Sequence, residues 1–256
     1  MARHSRQRDR LAAYLGFLLA LSLPFWLLGV GVQLEPLPGL PLSGLMAFAP
    51  ALVAGGLVLH DHGPEGLWAF LARPFDLARM AGRWRWAPVI LLAPTVAFAA
   101  FAAGHWGRPW PAAAVSPWVP LAMFAAFFFA ALGEELGWTA YALEPLARRR
   151  GELGAALILG LIWAAWHVIP FLQADRSWDW IAWQCLKTVA VRVVMVRLYF
   201  GSGRSLCAVA LFHALDNVSA FLPATWGVTY DAGFTAVAMV VIAVGMTAAR
   251  RRVVQA

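Results

Sequence analysis

Residues 127–143 read FFFAALGEELGWTAYAL, with Glu134 and Glu135 side by side in a run that is otherwise almost wholly apolar. At the centre of a membrane helix an ionisable side chain costs about 2.5–3.5 kcal/mol on insertion scales, so a span that keeps two of them needs a reason. Whether this run crosses a membrane or fills a soluble core is decided by the residues around it.

The chain has 256 residues, of which 62% are hydrophobic and only 13% charged. A soluble domain usually carries about 25% charge, so too little polar surface exists to cover one. Intrinsic disorder is excluded by the same figures. Eight apolar runs follow one another, at 11–31, 42–60, 86–104, 118–144, 153–171, 179–199, 205–222 and 232–249. Their lengths suit about 30 Å of hydrocarbon. The alternating pattern of about ten residues that marks a membrane β-barrel is missing. The expected fold is therefore all-α, a polytopic membrane helical bundle of about eight transmembrane helices. It reads as a single transmembrane domain over 1–256, without an internal repeat.

Charge placement orients the bundle. The net charge of +7 comes from 19 Arg and one Lys, set in short clusters between apolar runs. No basic face with interleaved polar residues appears, so a nucleic-acid partner is not expected. With the N-terminus in the cytoplasm, 16 of the 20 basic residues fall on that side, at Arg3 to Arg10, Arg73 to Arg85, Arg148 to Arg150, Arg197, Arg204 and Arg250 to Arg252. Arg108 and Arg176 fall on the other side, while Lys187 and Arg192 lie within the sixth span. The positive-inside rule then puts both termini in the cytoplasm. The N-terminal run is too long for a signal-peptide core and lacks a clear small-residue cleavage site, so it reads as a retained first span. Segment 62–85 is too polar to span and reads as an interfacial helix, with Trp84 and Trp86 anchoring the third span. Cys185 and Cys207 sit in apolar surroundings and read as buried small hydrophobes.

Ionisable and amide groups recur inside three spans: Glu134 and Glu135 in the fourth, His167 in the fifth, and His213, Asp216 and Asn217 in the seventh. Neighbouring residues on a helix point about 100° apart, so one glutamate can face a cavity while the other braces a neighbouring helix. His213 and Asn217 are four apart and share a face. A cavity lined by Glu134, His167, His213 and Asn217 could hold and activate a water, with the amide or imidazole donating to an oxyanion. Asp216 either orients His213 or pairs with Arg192 or Lys187, and the structural role is preferred. His60 and His62 flank Asp61 at a span end, where solvated polar residues are expected.

GEELGWTAYAL, WAAWH and HALDN resemble, in order and rough separation, the three motifs of the CPBP intramembrane proteases, the CAAX-protease and bacteriocin-processing group. Those motifs run Glu-Glu-x-x-x-Arg, Phe-x-x-x-His and His-x-x-x-Asn, and the likeness covers about residues 120–222. The resemblance implies an intramembrane endopeptidase acting on a peptide or prenylated substrate at the membrane. Glu134 would be the base that activates water and Glu135 its supporting neighbour. His167 would match the second-motif histidine, and His213 with Asn217 would bind water or stabilise the oxyanion. Thr139 stands where the family usually has Arg, so Glu135 needs another partner; Trp163 stands where it usually has Phe, which keeps an aromatic wall. The expected mechanism is metal-free. A zinc site at Glu134, His167 and His213 is the competing reading, although no His-Glu-x-x-His occurs. Lipid and a peptide or protein substrate are the expected partners, and a prokaryotic inner membrane the expected location. The alternatives are a proton- or ion-coupled transporter, or an inactive scaffold or immunity protein of the same fold.

Overall fold

The computed structural model describes residues 2–255 except 33, 36, 38, 81 and 108–115; the side chains of 2–9, 84 and 251–255 also lie outside the description. The expectations for Arg108, and for the side chains of Arg3, Arg6, Arg8, Trp84, Arg251 and Arg252, therefore fall outside the described residues.

Lipid offers no partner for a backbone N–H or C=O, so a spanning chain must satisfy them within itself, and helices do so. The described residues form no strand and nine α-helices: α1 (Ala2–Gly31), α2 (Ala49–Ala72), α3 (Ala87–Ile90), α4 (Leu92–Gly104), α5 (Trp118–Glu135), α6 (Glu144–Gln173), α7 (Trp178–Gly201), α8 (Leu206–Thr225) and α9 (Ala232–Gln255). A 3₁₀ segment, Leu42–Phe48, leads into α2, and a π-helical segment, Leu136–Leu143, joins α5 to α6. Helices with α3 and α4 taken together as one crossing, broken at Leu91, account for the eight expected spans.

Five helical stretches are long and apolar enough to cross a membrane, and one of them, Trp118–Gln173, carries the fourth and fifth spans in 56 residues. It is broken at Gly151, where φ is 71°, a conformation glycine adopts without strain. Leu92–Gly104 is a shorter apolar helix. α7 is not among the five; it carries Asp179, Lys187, Arg192 and Arg197.

Exposed leucine, phenylalanine and valine clothe the outside, as at Leu27 (71% exposed), Phe129 (63%) and Val241 (65%). An apolar surface on this scale is a lipid-facing one. The interior is built around Trp138, Leu159, Val194, Leu198, Tyr199 and Phe212, each buried. The largest packed faces are α6 against α7, α7 against α9, and α5 against α8.

One expected connection is helical, and the expected interfacial helix at 62–85 is joined to α2. The stretch after Glu144 is helical up to Gly151 despite its Pro and three arginines. Segment 62–85 continues α2 beyond a kink at Gly63, then makes 3₁₀ turns at Arg73–Phe75, Leu77–Met80 and Trp84–Trp86. It is docked on the bundle as well as helical. Phe70 is buried, and Arg73 donates to the Ala140 carbonyl at 2.6 Å and to the Tyr199 hydroxyl at 2.9 Å. Trp86 lies against Gly201, at the end of α7. Asp61 pairs with Arg10 at 3.1 Å.

Candidate active site

Glu134 and Glu135 close α5, immediately before the π-helical turns. Such turns are rare in general and recur at functional sites. Here the carbonyl of Ala47 would lie 2.8 Å from a Cβ at Gly133, so the absence of a side chain lets the segment before α2 press against α5. That contact fixes the end of α5 where the two carboxylates stand.

The glutamates part as adjacent helical positions must. Glu134 lines a cavity of about 740 Å³ and accepts a hydrogen bond from the Trp163 indole N–H at 2.6 Å. Glu135 is fully buried beneath it. Its Oε2 accepts from the Thr139 hydroxyl at 2.5 Å and from Arg192 Nη1 at 2.8 Å, and its Oε1 lies 3.0 Å from His213 Nδ1. An ionised carboxylate only accepts, so Nδ1 is the donor and Nε2 is left toward Glu134, 3.8 Å from its Oε1. That gap is too long for a direct hydrogen bond and short enough for one water to touch both groups.

His167 donates from Nδ1 to the Trp163 carbonyl at 2.8 Å and stacks on Phe171. It lines the same cavity, as do His213 and Asn217. Trp163 packs edge-on against both imidazoles. Four of the five residues singled out from the sequence thus meet at one cavity, and the fifth, Glu135, supports them from below. A second cavity, of about 830 Å³ between α4, α7 and the α8–α9 connection, contains none of them.

Three features of this centre escaped the sequence reading. Arg192, from the middle of α7, is the cation that holds Glu135; its Cζ also lies 4.1 Å from the centre of the Trp163 ring, over which the guanidinium sits. Trp163 is a hydrogen-bond donor as well as a wall. Thr139, read as a lost arginine, keeps a link to Glu135 through its hydroxyl. The signal for Arg192 was available, since an arginine inside a span demands a partner. Asp216 pairs with Lys187, at 2.8 Å, and this is the structural role preferred for it.

A zinc ion would need three ligands converging on one point with an open fourth position. Among the described residues no three His, Cys, Asp or Glu side chains are grouped to hold a metal. The Trp163 N–H already occupies one Glu134 oxygen. In this arrangement Glu134, His167 and His213 do not form such a group.

Fold and centre together define an integral membrane protein with a polar, ionisable site sunk inside a helical bundle. Residues 116–219, which include Glu134 through Asn217, match the family of Type II CAAX prenyl endopeptidases described as Rce1-like. The CAAX prenyl protease 2 of Methanococcus maripaludis is 25% identical over 99 residues, covering 35% of this chain and 36% of that protein. The resemblance to CAAX proteases noted in the motifs is thus shown over the motif-bearing segment, and the chain matches about a third of the length of this relative.

Proposed function

We propose that the chain is an intramembrane endopeptidase that uses Glu134 to activate water, acting as one membrane domain in a prokaryotic plasma membrane. The observation that carries this reading is the meeting of Glu134, His167, His213 and Asn217 at one cavity, over a buried Glu135–Arg192 pair.

A water between Glu134 Oε1 and His213 Nε2 gives a proton to Glu134 as its oxygen attacks the peptide carbonyl carbon. The carbonyl π electrons move to oxygen, and the oxyanion is held by the Asn217 carboxamide and by His213 when its Nε2 carries a proton. Collapse of the tetrahedral species breaks the C–N bond, and Glu134 returns its proton to the leaving nitrogen. One water and one peptide bond become one carboxylic acid and one amine. Glu135 and Arg192 do not touch the reacting atoms; they hold His213 in one tautomer and orientation. Every step uses side chains of this chain, and no cofactor is invoked.

The test is cleavage of a quenched peptide library by purified protein in detergent, wild type against Glu134→Gln. Cleavage that vanishes with the substitution supports the assignment. Cleavage that survives it at the same rate removes Glu134 from the mechanism.

A further inference from the structure

The cavity is not central; it lies toward one end of the bundle. Its shallow wall is formed by Pro41, Val119, Phe171 and Phe221. These stand just before the 3₁₀ segment that leads into α2, at the start of α5 and near the ends of α6 and α8. They share that end of the molecule with Gln173, which donates to the Trp26 carbonyl at 2.7 Å. The floor is Glu134 and His213, and below it Glu135, Trp138, Thr139 and Arg192 are all at most 2% exposed. Cavity and floor together point away from the opposite end.

That opposite end gathers the arginines. Arg73 reaches Tyr199, Arg197 meets Glu152 at 2.9 Å, Arg204 approaches Glu144 at 3.8 Å, and Arg250 also pairs with Glu152. Among the described residues that line the cavity there is no Lys or Arg. Arginine-rich ends of membrane proteins face the cytoplasm.

Resting on the endopeptidase reading, we propose that the substrate reaches Glu134 from the extracytoplasmic side. It would be an unfolded peptide segment of an exported or membrane-anchored protein, apolar or basic around the cleaved bond. Asp216 on the cavity wall is already paired with Lys187, whereas Glu134 faces the cavity with no Lys or Arg among the described lining residues, so an acidic segment at the cleaved bond meets the Glu134 carboxylate. Phe127, Phe171 and Phe221 offer an aromatic wall to apolar side chains.

Single cysteines test the sidedness in full-length protein with Cys185 and Cys207 replaced by alanine. Val119→Cys and Phe221→Cys mark the cavity wall, and Leu77→Cys, 62% exposed at the arginine end, is the control. A membrane-impermeant maleimide should label the two cavity cysteines in spheroplasts and Leu77→Cys in inverted vesicles. Labelling of both cavity cysteines only in inverted vesicles, or in neither preparation, overturns the proposal. In detergent, where sidedness vanishes, neutral or basic library peptides should be cut about tenfold faster than matched acidic ones, a ratio worth about 1.4 kcal/mol. Equal or reversed rates overturn the substrate class. Outside labelling with no Glu134-dependent cleavage removes the endopeptidase reading instead, and labelling from the cytoplasm with cleavage intact removes only the sidedness.

Discussion

Arg192 Nη1 stands 2.8 Å from Glu135 Oε2, across 57 residues of sequence and between α7 and the end of α5. Both side chains are within 1% of complete burial. Removing one partner of such a pair leaves an uncompensated charge, at a cost of about 3–5 kcal/mol. Arg192→Leu is expected to lose that much stability in detergent unfolding, and the double variant Arg192→Leu with Glu135→Gln to recover most of it. Cleavage should stay low in both, because the Glu135–Arg192 pair that holds His213 is broken in each. A double variant no more stable than Arg192→Leu would show that the pair is not the coupled unit described.

The same pair explains how Thr139 can occupy a position where related motifs carry arginine. Thr139 is 2% exposed and lies 3.4 Å from Arg192, so a second guanidinium there would meet the first. Thr139→Arg alone should destabilise by at least about 2 kcal/mol through overpacking and like charge. Combined with Arg192→Leu, it should be better tolerated than the sum of the single effects, a coupling read from a thermal-unfolding cycle.

Gly133 and Gly137 let the chain before and within α2 approach α5 and the π-helical segment after it closely; a Cβ at Gly137 would come 2.6 Å from the Pro50 carbonyl. Gly137→Val should therefore destabilise by about 1–3 kcal/mol or more. Gly56→Ala, where nothing lies within 4 Å of the added carbon, should cost nothing measurable by the same assay.

If the chemistry runs on side chains alone, prolonged treatment with 1,10-phenanthroline followed by its removal leaves the cleavage rate unchanged. A loss of rate that zinc restores would require a metal ligand set that Glu134, His167 and His213 do not present in this arrangement.

Much of this architecture could be read from the chain because membrane insertion makes each buried charge expensive. The cost singled out Glu134, His167 and His213, and the spacing of His213 and Asn217 placed them on one face. What escaped depended on rotation of one helix against another. Whether Arg192 or Lys187 faces Asp216 is set by the azimuth of α7, which hydropathy does not encode; the structure gives Lys187 to Asp216 and Arg192 to Glu135. The indole of Trp163 reads equally as a wall or as a donor until Glu134 is seen 2.6 Å from its nitrogen. The turns after Glu135 carry no sequence signature of π geometry, and the polar stretch before Gly151 looks like a loop although it is helical.

The measurement closest to the central claim is the rate of peptide cleavage by purified Glu134→Gln protein, taken beside its unfolding midpoint. Removing a general base costs about 10²–10⁴ in rate, and Glu134 at 4% exposure on the cavity wall is not the carboxylate that holds the helices together. The expected result is a fall of at least a hundredfold at an unchanged midpoint. A Glu134→Gln protein that cleaves at the wild-type rate would contradict it.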